Sequence, residues 1–191
     1  MYVNSSTEEL AEIGEKILRH ASDPSQSTHA PNSVVFDIDA TLLFNDARDT
    51  PCLSRRNLPI TRLYDVALEL QVPIFLVTAR ANTTEGRAFT YDQLKCLGMD
   101  QFTGMYMRPP ITGTSVKNIS IYKKECRKLI TRLTGRRITL NIGDQWSDLF
   151  VCDNSARLQQ LNSVYGNVNV LFESPSYAFS DWSFKLQEEE Q

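Results

Sequence analysis

The stretch Val34-Val35-Phe36-Asp37-Ile38-Asp39-Ala40-Thr41-Leu42-Leu43 governs how the rest of the chain is read. Its first residues are an apolar run of the kind that forms a buried strand, and the run passes directly into two carboxylates spaced i, i+2. Side chains at that spacing project to the same side of an extended chain. Two like charges so placed repel, so the pair needs a compensating cation or a proton kept by one member. A divalent metal together with a phosphate-bearing substrate supplies that compensation. The bland alternative is a surface turn carrying two acidic residues. The apolar run before the pair and Thr41 after it disfavour that reading.

Helix and strand patterns alternate on both sides of this loop. Residues 6–22 predict a helix: Ser6-Thr7-Glu8-Glu9 has capping-box spacing, and Leu10, Ile13, Ile17, Leu18 and Ala21 form one apolar stripe. Asp23-Pro24 ends it, because the residue before proline avoids the helical region. Residues 44–58 read as irregular. Helices are expected over 60–70, 83–97 with Gly98 beyond, and 118–133 with Gly135 beyond. Strands are expected over 73–77, 105–107, 138–142 and 168–172, and a frayed charged tail over 188–191. Continuous apolar strands alternating with helices indicate parallel strands covered on both faces. The expected fold is an α/β three-layer sandwich around a mostly parallel sheet, one domain over residues 1–191 with its core over about 34–179. In such sheets chemistry sits beyond the carboxyl ends of the strands.

Two more strand ends carry polar groups. Leu76-Val77-Thr78-Ala79-Arg80 offers a hydroxyl and a guanidinium to an anion. Thr78 can equally be a β-favouring residue and Arg80 a solvated charge. Asn141-Ile142-Gly143-Asp144-Gln145-Trp146-Ser147-Asp148 has a glycine for a tight turn and two acids four apart, which one helical turn would stack. Asp144 can also simply cap the helix that follows. The helix over 118–133 is basic: Lys123 and Arg127 follow i, i+4 spacing, with Lys124, Lys128 and Arg132 one register over. A solvated face accounts for most of these. A single lysine turned to the strand ends would help hold a dianionic phosphate beside the carboxylates.

Composition bounds the partners. Of 191 residues, 41% are apolar and 23% charged, with a formal net charge of −3, so total charge does not advertise nucleic-acid or anionic-membrane binding. No apolar run approaches the roughly 18–20 residues of a membrane span. The polar N-terminus lacks the apolar core of a signal peptide. Cys52, Cys96, Cys126 and Cys152 are far apart, which argues against zinc and for four buried reduced thiols in a cytoplasmic protein.

Together and in this order, Phe36-Asp37-Ile38-Asp39-Ala40-Thr41-Leu42-Leu43, Thr78-Ala79-Arg80, Tyr122-Lys123 with Arg127, and Gly143-Asp144-Gln145-Trp146-Ser147-Asp148-Leu149 resemble the motifs of the haloacid dehalogenase (HAD) phosphatase superfamily. The closer similarity is to its subfamily III acid phosphatases, which include plant acid phosphatases and vegetative storage proteins. The Gly-Asp-Gln-Trp-Ser-Asp-Leu run is the most specific of these motifs. Leu171 to Phe179, with Ser174-Pro175 and Tyr177, is similar to that family's C-terminal Pro-x-Tyr segment. Ala40 departs from the pattern, since an acidic residue is common there.

The resemblance implies Asp37 as nucleophile and Asp39 as general acid/base. It implies phosphate binding by Thr78 and Lys123, with Lys117 and Lys124 as competitors of Lys123; Arg80 joins them as a candidate substrate-binding residue on its charge and place. It implies Mg²⁺ held by Asp37, the main-chain carbonyl of Asp39 and Asp144, with Asp148 in support. The expected activity is a Mg²⁺-dependent phosphomonoesterase forming an aspartyl-phosphate on small phosphate esters, nucleotides among them, with no large cap domain. Phe44 and Trp146 are candidate stacking surfaces, though ordinary packing accounts for them as well. One alternative is a nucleic-acid 3′-end phosphatase, which the run Lys117–Arg137, with eight Lys/Arg against one Glu, would serve. Another is a non-enzymatic storage or binding descendant, which the intact Asp37 and Asp39 disfavour.

Overall fold

In the computed structural model, residues 7–26, 31–44, 50–149, 156–160 and 169–172 are described. Helix α1 spans Thr7–Ala21, with Glu8 and Glu9 in its first turn and Arg19 and His20 in its last, which complements the helix dipole. Its stripe of Leu10, Ala11, Gly14, Ile17 and Leu18 is buried. Strand β1 (Asn32–Phe36) leads through the acidic loop to α2 (Leu58–Glu69), which has a proline in its first turn. Strand β2 (Ile74–Ala81) precedes α3 (Thr84–Cys96), where the Thr83 hydroxyl accepts from the Gly86 amide at 3.0 Å. Strand β3 (Gly104–Arg108) precedes α4 (Val116–Thr134), which ends where Gly135 takes a left-handed φ of 64°. Strand β4 (Arg137–Gly143), the short α5 (Trp146–Leu149), β5 (Ala156–Gln160) and β6 (Asn169–Phe172) follow.

The six strands form one sheet in the order β3-β2-β1-β4-β5-β6, parallel except for β6, which runs antiparallel to β5. Val34 and Phe36 of β1, with Ile74 and Leu76 of β2, pack under α1 and α2; Val35, Phe75 and Val77 pack under Cys126 and Ile130 of α4. Period-two alternation thus feeds two helical layers, the α/β sandwich expected from the sequence. The chain steps outward from β1 to β3, then crosses back to lay β4 against the other side of β1. That reversal opens a crevice at the carboxyl ends of β1 and β4. Among the described residues no cap domain is inserted after β1 or β2.

Two readings are corrected. Strand β5 has no counterpart in the sequence expectations: Ala156-Arg157-Leu158-Gln159-Gln160 carries little apolar signal, and its pairing with β4 and β6 makes it a strand. The four cysteines are not all reduced thiols: Cys52 and Cys96 form a disulfide, with Cα atoms 5.3 Å apart, and Cys126 is a buried free thiol. Linear spacing hid the pair, because the turn at Pro51–Leu53 packs on the end of α3, 44 residues away in sequence. The thiol-based case for a reducing compartment therefore lapses. Cys152, the Trp146 side chain, the segment Ser174–Tyr177 and the 188–191 tail lie outside the described residues.

Candidate active site

Asp37 is the first residue past β1, and its amide donates to the Ile142 carbonyl at 2.9 Å, which ties the end of β1 to β4. Asp144 is the first residue past β4, and Asp148 lies one turn into α5. All three carboxylates are buried, and each offers an oxygen within 4.8 Å of the other two. The approach is permitted by Gly143, where a Cβ would stand 2.1 Å from the Asp148 Cβ. The Gln145 amide donates to Asp148 Oδ2 at 3.0 Å, and the Gln145 side chain donates to Asp144 Oδ2 at 2.9 Å.

One ammonium meets this cluster. Lys123 Nζ donates to Asp37 Oδ1 at 2.8 Å and to Asp148 Oδ1, and the lysine is only 2% exposed. Its competitors are placed differently: Lys117 is exposed and Lys124 half-buried. One turn on, the buried Arg127 donates from Nη2 to the Ser147 carbonyl at 2.8 Å, so the same face of α4 also supports the loop that carries Asp144 and Asp148. Lys128 and Arg132 face solvent.

The second acid of the first loop is placed apart from the cluster. Arg80 Nε and Nη2 donate to the two oxygens of Asp39 at 2.8 and 2.7 Å, and Nη1 donates to the Thr90 hydroxyl at 3.1 Å. Thr78 is fully buried, its hydroxyl accepting from the Arg80 amide at 3.2 Å. Asp39 and Arg80 line a cleft of about 600 Å³ whose other walls include Phe44, Ala81, Phe89 and Gln93. Phe44 is 42% exposed, and the Arg55 guanidinium lies 5.4 Å from its ring centroid. Gln93 hydrogen-bonds Ser54, and the Cys52–Cys96 bridge joins the same two segments.

Burial dominates the electrostatics. It pushes Asp37 well above the usual carboxylate range; Lys123 opposes, and Asp148 and Asp144 add to the rise. Burial likewise pushes Asp144 up to about 6, against the Gln145 hydrogen bond and with the Asp148 charge. Burial alone would lower Lys123, but Asp148 and Asp37 outweigh it and hold the ammonium above its ordinary value. Among the described residues, three carboxylates face one ammonium, an excess of negative charge that a proton or a divalent cation would offset. Hard oxygen donors converging from two strand ends suit a cation such as Mg²⁺, whereas the described residues offer no thiolate or imidazole there.

Sequence reasoning did not find Gln145, Thr90 or Gln93. Gln145 lies inside the Gly143–Leu149 motif, where its position next to Asp144 is the signal that marks it. Thr90 and Gln93 are polar residues on α3 that only the tertiary fold turns inward.

The profile of the HAD superfamily, subfamily IIIB (acid phosphatase), matches residues 54–168. The chain belongs to this family. It is a HAD-type phosphatase, and the matched range carries Thr78, Lys123, Asp144 and Asp148, while Asp37 and Asp39 precede it. Solved structures share the fold. The class C acid phosphatase from Bacillus anthracis is 18% identical with a TM-score of 0.57, over 78% of this chain and 67% of that one. The same enzyme with tungstate bound gives 17% and 0.56, over 78% and 68%. The Pnkp1/Rnl/Hen1 complex gives 21% and 0.53, over 64% of this chain and 42% of that chain. No curated protein matches the sequence.

Proposed function

We propose that this HAD phosphatase is a Mg²⁺-dependent phosphomonoesterase that works through an aspartyl-phosphate on Asp37 and acts on small phosphate esters. The observation that carries the reading is the buried set of Asp37, Asp144 and Asp148 at the crevice between β1 and β4, with Lys123 bridging Asp37 and Asp148. Asp37, Asp144 and Asp148 would hold the cation. When bound, it offsets the charge of carboxylate and phosphate so that one anion can approach another.

The chain's own residues supply the rest. An oxygen of Asp37 attacks phosphorus while the ester P–O bond breaks, and the departing oxygen takes a proton from Asp39. Water then attacks the phosphoryl group on Asp37, its proton goes to Asp39, and inorganic phosphate leaves. The Lys123 ammonium and the Thr78 hydroxyl are donors for the phosphoryl oxygens, where preorganised groups are most effective. The cleft beside Asp39, walled by Phe44 and Phe89, gives a small leaving group room.

Rapid quench with a labelled activated phosphate ester tests this. Asp37→Asn should neither turn over nor trap label. Asp39→Asn should trap phosphoenzyme, because an activated leaving group needs no proton but hydrolysis of the intermediate still needs a base. Label on Asp37→Asn and none on Asp39→Asn would reverse the two roles.

A second reading, a phosphatase of nucleic-acid 3′ ends, is supported by the exposed Lys117, Lys128 and Arg132 along α4 and by the fold shared with a component of the Pnkp1/Rnl/Hen1 complex. Turnover of a 3′-phosphorylated oligonucleotide that falls steeply with salt, beside salt-insensitive turnover of mononucleotides, would favour it.

A further inference from the structure

Arg80 stands at the end of a strand beside a phosphatase centre, a place that suggests a grip on the substrate phosphate. Its geometry says otherwise. The β2–β3 pairing runs in register to Thr78 opposite Met107, then resumes at Ala81 opposite Arg108, so Ala79 and Arg80 form an unpaired bulge. Bulges next to active sites re-aim side chains. This one is fastened from beneath: Arg108, itself nearly buried, donates from Nε to the Ala79 carbonyl at 3.0 Å and from Nη1 to the Gly113 carbonyl at 2.9 Å. The bulge delivers the Arg80 guanidinium to Asp39. Its fork of Nε–H and Nη2–H, the edge best suited to a phosphate, is filled by both oxygens of that carboxylate, and Thr90 fixes the far side.

We infer that Arg80 is a positioning residue: it holds the Asp39 carboxylate at the wall of the leaving-group cleft, where proton transfer to and from the departing oxygen takes place, rather than binding the substrate phosphate. This rests on the reading of Asp39 as acid/base given above. The Asp39 side chain is 42% exposed and, among the described residues, is held by Arg80 alone, so without the fork it can swing among rotamers. That carboxylate stays solvated when Arg80, 17% exposed, is replaced, so the expected loss of stability is modest, and a thermal melt of each variant checks it. What they lose is alignment, and a misplaced catalytic group costs up to about 10²-fold.

The test compares leaving groups. Wild type, Asp39→Asn, Arg80→Gln, Arg80→Lys and Thr90→Val are assayed on 4-nitrophenyl phosphate, whose phenolate departs unaided, and on glycerol 2-phosphate, whose alkoxide needs a proton. The reaction is followed in the burst, before dephosphorylation limits the rate, and kcat and KM below stand for the rate constant and half-saturation of that burst. Asp39→Asn should lose about 10²–10⁴-fold in kcat on the alkyl ester and much less on the aryl ester. Arg80→Gln should repeat that asymmetry at about 10–10²-fold on the alkyl ester, with KM nearly unchanged on both. Arg80→Lys keeps the charge without the fork and should stay impaired on the alkyl ester. Thr90→Val should show the same asymmetry in smaller degree. A rise in KM on both esters with kcat intact would overturn the inference and make Arg80 a phosphate ligand. Equal kcat losses on both esters would overturn it in favour of a structural role. If Asp39→Asn itself shows no asymmetry, the acid/base reading fails and this inference falls with it.

Discussion

Replacing Lys123 by methionine removes the ammonium that, among the described residues, alone meets the carboxylate cluster, and leaves a side chain of similar length. The residue is 2% exposed and contacts Asp37 and Asp148, both of them buried. Breaking a buried pair by deleting one partner typically costs about 3–5 kcal/mol, because the other partner stays desolvated and uncompensated. Unfolding entropy near 2.1 cal/mol/K per residue gives roughly 0.4 kcal/mol/K for 191 residues. The metal-free variant should therefore melt about 8–12 °C below the metal-free wild type at neutral pH.

That gap should depend on pH in a definite direction. Asp37 and Asp144 have raised values in the folded protein, so the fold holds protons that the unfolded chain has released. Stability from a raised carboxylate is present at low pH and lost as pH rises through the folded value. Without Lys123 those values rise further. The gap should be small near pH 4, where Asp37 and Asp144 can be neutral, and widest at neutrality. Saturating Mg²⁺ at neutral pH should close part of it, since a divalent cation offsets the same charge. Calorimetric melts of both proteins at pH 4, 5.5 and 7, with EDTA or Mg²⁺, read this directly. A gap indifferent to pH and to Mg²⁺ would show that the ammonium does not compensate the carboxylates. The activity of the folded variant should fall about 10²–10³-fold, as for loss of a preorganised donor.

Further outcomes follow from individual groups. Because Asp144 lies near 6 in the metal-free protein, Mg²⁺ must displace a proton below that pH, so the Mg²⁺-induced rise in Tm should be smaller at pH 5 than at pH 7.5. Calorimetric titrations in buffers of different ionisation enthalpy should show more protons released at pH 5 than at pH 7.5, and no release at either pH would count against the cluster as the metal site. The Cys52–Cys96 bridge closes a loop with a sequence separation of 44, so the double serine variant should lose about 2–4 kcal/mol, seen as a lower Tm. Non-reducing peptide mapping should recover the 52 and 96 peptides linked; finding both alkylated in the untreated protein would refute the bridge. Gly143→Ala puts a methyl 2.1 Å from the Asp148 Cβ, so it should destabilise by about 1–3 kcal/mol and displace Asp148, with reduced Mg²⁺ affinity in the folded fraction.

The parts of this molecule that the sequence made legible are those coded by local pattern. Val34-Val35-Phe36 and Pro73-Ile74-Phe75-Leu76-Val77 announce buried strands, because strands covered on both faces need apolar residues at every position. Gly135 marks the end of α4, because its left-handed conformation suits a residue without a side chain. Asp37, Thr78 and Asp144 stand out because each interrupts an apolar run at its carboxyl end, and the crossover from β3 to β4 brings the ends of β1 and β4 together. What stayed hidden depends on pairing across distance. Strand β5 has a polar sequence and takes its conformation from its neighbours on either side. Cys52 and Cys96 meet only because a turn after the acidic loop packs on the end of a helix three elements later.

The acidic loop shows the same divide within one motif. Asp37 and Asp39 sit two apart and would share a face of a straight strand. Beyond β1, however, the chain leaves the sheet and turns, with Ala40 at a φ of 57° and the Leu43 amide donating to the Ile38 carbonyl at 3.0 Å. Asp37 stays with β4, Lys123 and the buried acids, while Asp39 is carried to the cleft and the guanidinium of Arg80. The two carboxylates thereby acquire different surroundings, as the two roles proposed for them require. Asp37 is buried and held by an ammonium, as suits a nucleophile within a charge-compensated cluster. Asp39 is half-exposed and steered by a fork, as suits a group that must exchange a proton with a departing alcohol and then with water. A spacing of i, i+2 carries no trace of that separation; it arises where the strand ends and the turn begins.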